Sequence, residues 1–145
     1  MTFTFLLFSL FFLLIIRRNN LAGINAPLDG DDFVMIRADD TVPSNADYAV
    51  KIQGDSMYPY ISDGEIVYVK KTEHTSTGEV GIFCVDGAMY CKQFFIDTSG
   101  NLTLVSANPD LKDTNIHISA SGGQSVKCFG KVLLDQKISL PSYAF

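Results

Sequence analysis

Val80-Gly81-Ile82-Phe83-Cys84-Val85-Asp86-Gly87-Ala88-Met89-Tyr90-Cys91-Lys92-Gln93-Phe94-Phe95 reads as strand, turn, strand. Two β-prone apolar runs flank Asp86-Gly87, a dipeptide suited to the tight turns that join antiparallel strands, so Val85-Asp86-Gly87-Ala88 is the tightest hairpin in the chain. Outward from it the same pattern repeats. Short β-rich runs occur at Phe33-Val34-Met35-Ile36, Tyr48 to Ile52, Ile66 to Val69, Leu102 to Val105, Ile116 to Ile118 and Val126 to Leu134. Asp63-Gly64, Ser99-Gly100-Asn101 and Gly122-Gly123 punctuate them. No 3.6-residue periodicity persists over three turns. The expected fold is therefore all-β, with about eight or nine short strands in a partly closed barrel or sandwich.

At 145 residues the chain is long enough for one domain with a real core and too short for two of ordinary size. Its formal charge of −5 leaves no basic surface of the kind that non-specific nucleic-acid binding needs. Cys84, Cys91 and Cys128 are odd in number and form no C-x-x-C pair. They read as small buried apolar residues, not as a disulfide framework or a zinc site, and point to a reducing compartment. The acidic loops around Asp29, Asp31-Asp32 and Asp39-Asp40 lack the spacing of a calcium loop and read as solvated surface. Neither a metal nor another cofactor is expected.

Three segments follow from composition. Residues 1–18 are dominated by the apolar run Phe3 to Ile16, stopped by Arg17-Arg18. That run is shorter than a spanning helix, and it lacks the basic start of a secretory signal. It is open to three readings: a short membrane anchor, a non-native or truncated gene start, and a packed arm or interface strand. An anchor followed by two arginines would leave the remainder in the cytoplasm. Residues 19–32 are rich in Asn, Gly, Pro and Asp and form a linker, within which Ala22-Gly23 is a small dipeptide that a protease cleft could accept. Residues 33–145 form the domain, with the apolar segment outside it.

The chemistry is carried by Lys51-Ile52-Gln53-Gly54-Asp55-Ser56-Met57-Tyr58-Pro59-Tyr60-Ile61-Ser62-Asp63-Gly64-Glu65. It presents Ser56 at a bend between two strand-like runs. A serine hydroxyl is a weak nucleophile until a base takes its proton. Within Ala88 to Phe95, Tyr90, Lys92 and Phe94 share one face of a strand. A lysine between two aromatic side chains either snorkels to water or sits in a dry pocket, and a dry pocket lowers its pKa and leaves an amine able to accept that proton. Lowering it from about 10.4 to about 7 corresponds to roughly 4 to 5 kcal/mol. This dyad requires Lys92 to be buried beside Ser56, with no carboxylate at salt-bridge distance. His74 and His117 stand in no Asp-His-Ser pattern and are poor candidates for the base.

Gly54-Asp55-Ser56-Met57, Pro59, Asp63-Gly64, Gly78 to Phe83, Met89-Tyr90-Cys91-Lys92, Ser106-Ala107-Asn108-Pro109 and Phe129-Gly130-Lys131-Val132 together resemble the peptidase domain of the LexA repressor family over residues 20 to 134. The ordered set is specific where G-D-S-M alone is not. The resemblance implies a self-cleaving serine endopeptidase with Ser56 as nucleophile and Lys92, 36 positions later, as general base. It implies an oxyanion hole from the backbone N–H groups of Asp55 and Ser56. It further implies cleavage at Ala22-Gly23, 34 residues before Ser56. A tethered bond is present at high local concentration, so a weak nucleophile suffices. The family's activator, a RecA filament on single-stranded DNA, is the implied partner, together with homodimer formation through the C-terminal region and a role in the SOS response.

The sequence departs from a full repressor in showing no helix-turn-helix before Ala22, so no direct DNA-binding domain is expected. A repressor lacking that half, a UmuD-like accessory with a cleavable arm, and a membrane-attached peptidase all fit the layout. Two rivals differ in class. Type I signal peptidase shares the Ser-Met and Lys elements and begins with an anchor, which residues 3–16 would provide. Against it, Gln93-Phe94-Phe95 replaces the Lys-Arg continuation after the lysine. The other rival is a non-catalytic β-domain used for dimerisation. The expected location is the cytoplasm, with membrane attachment as the alternative.

Overall fold

The structure, a computed structural model, describes residues 11–17, 33–37 and 40–144. Nine strands follow one another: β1 (Phe11–Arg17), β2 (Phe33–Arg37), β3 (Tyr48–Ile52), β4 (Ile66–Lys70), β5 (Val80–Val85), β6 (Ala88–Ile96), β7 (Leu102–Val105), β8 (Ile116–Ile118) and β9 (Val126–Leu133). Two short 3-10 turns, Pro109–Thr114 and Ser142–Ala144, are the helical elements among the described residues. All strands belong to one sheet, in the order β2-β1-β3-β4-β9-β5-β6-β7-β8. The all-β expectation holds. The sheet is not closed into a barrel: β2 and β8 are its two edges, where a partly closed barrel would have joined them.

The β5–β6 hairpin is as the sequence reads it. Val85 pairs with Ala88, and Asp86 and Gly87 have φ of 49° and 88°, the left-handed pair that matches the twist of a two-residue hairpin. Asp86 is also tied to the residue just before β9, since its N–H donates to the Ser125 carbonyl and its carboxylate accepts from the Ser125 N–H. β9 then inserts between β4 and β5. Its pairing with β5 shifts register between Ile82 and Phe83, so that Phe129 is the extra residue of a bulge. Gly130 follows the bulge because nothing larger fits: a Cβ there would lie 2.4 Å from Val69 Cγ1 and 2.8 Å from both the Lys70 carbonyl oxygen and the Tyr48 hydroxyl. That hydroxyl donates to the Phe129 carbonyl at 2.9 Å and pins the bulge.

Period-two alternation sorts the hairpin's side chains between two cores. Val80, Ile82, Met89 and Cys91 join Val50, Ile52, Val67, Val69 and Val132 in the larger one. Phe83 and Val85 point the other way, with Leu104, Ile118, Tyr90 and Phe94. The Phe83 and Phe94 rings stack there at 5.9 Å between centroids. Burial of these side chains, at roughly 1.5 to 3 kcal/mol each, gives the hairpin the stiffness to hold a functional group in place.

β1 is the point at which the backbone goes beyond the sequence reading. The apolar segment is expected outside the sheet, yet Phe11–Arg17 pairs in parallel with β2 and antiparallel to β3. A run of β-compatible apolar residues satisfies its backbone polar groups by taking a place in the sheet. Among the described residues no helix is long and apolar enough to cross a membrane.

Candidate active site

Ser56 lies on the loop that joins β3 to β4. The base of this loop is closed by two hydrogen bonds, from the Gly64 N–H to the Ile52 carbonyl and from the Ile52 N–H to the Glu65 carbonyl, both 2.8 Å. Higher up, the Gly54 N–H donates to the Asp63 carboxylate at 2.8 Å, and Gly54 adopts a φ of 94° that an ordinary side chain resists. Met57 and Ile61 anchor the loop in the larger core, with exposures of 1% and 0%. Between them the chain makes one helical turn, the N–H groups of Tyr60 and Ile61 both donating to the Met57 carbonyl, and the Tyr58-Pro59 bond is cis. Ser56 therefore stands half-buried immediately before a turn whose two anchors are fixed.

A second contact fixes Ser56 from across the fold. Asn108 donates its backbone N–H to the Ser56 carbonyl at 3.0 Å and its side-chain amide to the Asp55 carbonyl at 2.9 Å. The Asn108 side-chain oxygen meanwhile accepts from the Asp110 N–H and caps the 3-10 turn that Pro109 opens. The serine bend and the segment after β7 are thus joined at one residue. Two positions earlier, Ser106 holds the lysine.

Lys92 is 4% exposed and lies midway along β6, on the face it shares with Tyr90 and Phe94. Its Nζ donates to Ser106 Oγ at 2.5 Å and to Thr114 Oγ1 at 3.2 Å. The direction of the remaining hydrogen bonds follows from counting protons. Thr114 Oγ1 donates to the Leu111 carbonyl at 2.6 Å, so the 2.7 Å contact between the two hydroxyls has Ser106 as donor and Thr114 as acceptor. Both hydroxyl protons point away from the lysine. Neither hydroxyl can donate to Nζ, so the neutral amine spends its two N–H groups on them and keeps its lone pair free in the remaining direction.

Burial lowers the Lys92 pKa to about 8, opposed by the neighbouring Cys91 thiol. Among the described residues no carboxylate forms an ion pair with it; the salt bridge there joins Lys131 to Glu79. The neutral amine is therefore within reach at mildly alkaline pH, where an ordinary lysine stays charged.

The family model described as Peptidase S24-like matches residues 20–133, most of the chain. The chain belongs to this family. It is the family of LexA- and UmuD-type self-cleaving serine peptidases. A search of curated proteins finds no match.

Within this S24-like domain the other candidates are engaged elsewhere. His117 meets Thr103 through Nδ1 at 3.1 Å on the sheet edge, and His74 sits in an exposed turn closed by Thr72. Cys91 is buried and its thiol is pushed up to about 12 by that burial, so it stays protonated and inert. Cys84 and Cys128 are free, the latter in contact with the Thr75 hydroxyl. Among the described residues no group of three or more His, Cys, Asp or Glu side chains is placed to hold a metal ion. Ala22 and Gly23 lie outside the described residues.

The sequence reading assigned no role to Ser106, Asn108, Thr114, Asn115 or Tyr143, the residues that join Lys92 to the Ser56 loop and hold that junction in place. One signal was available. Asn108-Pro109 followed by Asp110 is a capping pattern, and it marks the short turn that brings Thr114 back to the lysine.

Proposed function

We propose that this chain is a self-cleaving serine endopeptidase that uses Ser56 and Lys92 as a catalytic dyad and cuts its own Ala22-Gly23 bond. The observation that carries the reading is the state of Lys92: buried, without a carboxylate partner among the described residues, and donating to two hydroxyls that leave its lone pair free. A lysine kept for structure alone would gain by reaching water or an acid. The link through Asn108 supports pairing this lysine with Ser56.

In the proposed reaction the neutral Lys92 amine removes the Ser56 Oγ proton as the oxygen attacks the Ala22 carbonyl carbon. The oxyanion is held by the backbone N–H groups of Asp55 and Ser56, neither of which has a hydrogen-bond partner among the described residues. Collapse breaks the C–N bond, and the Lys92 ammonium returns its proton to the Gly23 nitrogen, which leaves as an amine. Water then hydrolyses the Ala22–Ser56 ester by the same path, freeing the Ala22 carboxylate and restoring the serine. Because substrate and enzyme are one chain, regulation acts on whether the bond is docked.

The family suggests the physiological setting: a transcriptional repressor or UmuD-like accessory of the DNA-damage response, activated in the cytoplasm by a RecA filament on single-stranded DNA and acting as a homodimer. Purified protein held at pH 9 to 10 is expected to yield fragments ending at Ala22 and beginning at Gly23, detected by mass spectrometry. Ser56→Ala and Lys92→Ala should each abolish the cut. An intact chain that cleaves signal peptides in trans would favour the signal-peptidase reading, and inactivity in both assays would favour the dimerisation module.

A further inference from the structure

The family match ends at residue 133, and the chain that follows folds back onto Gln93 and Ser106, the neighbours of the lysine. Ile138 is buried in the larger core, and its carbonyl accepts from the Gln93 side-chain amide at 2.8 Å. Gln93, next to Lys92 in β6, is 0% exposed and also donates to the Gly78 carbonyl at 3.0 Å. Its own carbonyl oxygen has no partner among the described residues. An amide buried with its oxygen unpaired is costly, and it is tolerated here because both its N–H groups are held, one of them by this segment. Further along, Ala144 is 0% exposed at the end of the 3-10 turn, and the Tyr143 hydroxyl donates to the Ser106 carbonyl at 2.8 Å.

Every polar group of Ser106 is thereby used. Its N–H donates to Asn115 Oδ1 at 2.7 Å, its hydroxyl accepts from Lys92 and donates to Thr114, and its carbonyl accepts from Tyr143. Lys92, Thr114 and Asn115 lie within the family-matched residues, and Tyr143 lies beyond them. Three of its bonds come from residues within the match and the fourth from the segment that follows it.

We propose that residues 134–144 form a latch in which Tyr143 is a positioning residue for Lys92, acting through Ser106. The inference rests on the reading of Lys92 as the general base. With the latch closed, Ser106 keeps the acceptor geometry that orients the Lys92 lone pair. Loss of the Tyr143 hydroxyl lets Ser106 turn and solvent reach Nζ, which favours the ammonium. The titratable group that acts directly on Lys92 is Cys91 on its own strand, and Tyr143 reaches the lysine only through Ser106.

The test is Tyr143→Phe, which keeps the ring and removes only the hydroxyl, in the full chain. The Lys92 midpoint is followed by NMR of its 13C-labelled ε-carbon, and Ser56 reactivity by the labelling rate with a fluorophosphonate probe from pH 6 to 11. The expected result is an upward shift of the midpoint toward ordinary lysine, an approximately tenfold slower labelling rate at pH 8 and a nearly unchanged melting temperature. In a Ser106→Ala background Tyr143→Phe should add nothing further. An unmoved midpoint overturns the latch, even if the rate falls together with the melting temperature. Should the wild-type chain fail to label at all, the dyad reading fails, while the NMR midpoint still reports whether the latch acts on Lys92.

Discussion

A lysine taken out of water stays folded only if something offsets its desolvation, and at Lys92 two hydroxyl oxygens do so in part. Tyr90 and Phe94 pointed to the dry pocket, and a pKa near 7 was the expectation from full burial. Burial lowers it to about 8, and the neighbouring Cys91 thiol opposes that lowering. Ser106 and Thr114 were not legible as lysine partners, because hydrogen-bond direction depends on which hydroxyl already donates elsewhere. The depressed pKa has a consequence for stability. Between about pH 8 and the unfolded value near 10.4 the unfolded chain holds a proton that the folded chain lacks, so folded stability rises with pH across that window. Below it the buried ammonium costs up to about 3 kcal/mol. Lys92→Met should therefore abolish activity and yet unfold at higher urea than wild type at pH 7, with the gain shrinking to nothing above about pH 10.5. A variant less stable than wild type at pH 7 would mean that the ammonium is favourably solvated where it lies.

Elements place these residues, and they differ in how far the sequence reveals them. The hairpin was legible because Asp86-Gly87 and two alternating runs are local signals, and the eight runs from Phe33 onward became β2 to β9 with ends moved by a residue or so. The position of β9 between β4 and β5 was not legible. It depends on a bulge at Phe129 and on the space left by Gly130, which meet residues sixty to eighty positions away. The same holds for the bond between Asn108 and the serine loop, which joins residues 53 positions apart and has no sequence pattern of its own. Asn108→Ala removes the side-chain bonds to Asp55 and Asp110 and keeps the backbone bond to Ser56. It should cost about 1 to 2 kcal/mol in urea unfolding and slow self-cleavage more than that loss of folded protein explains. Equal cleavage rates in the variant and wild type would show that the loop holds Ser56 without help from Asn108.

Over the whole molecule, an open nine-strand sheet brings together a serine loop between β3 and β4, a lysine from β6, a hydroxyl pair from the β7–β8 connection and a latch that follows β9. Ser56 and Lys92 could be singled out as candidates in sequence because a bend and an aromatic-flanked lysine are visible one residue at a time. The latch could not, since Tyr143 belongs to a stretch with no strand pattern and no family motif. The measurement that tests this account most directly is the pH dependence of the self-cleavage rate at Ala22-Gly23. The account predicts a rate that rises with pH through a midpoint near 8 and levels off above pH 9, following deprotonation of Lys92. A midpoint near 6.5, as for a histidine base, or one above 10, as for a lysine exposed to water, would contradict it.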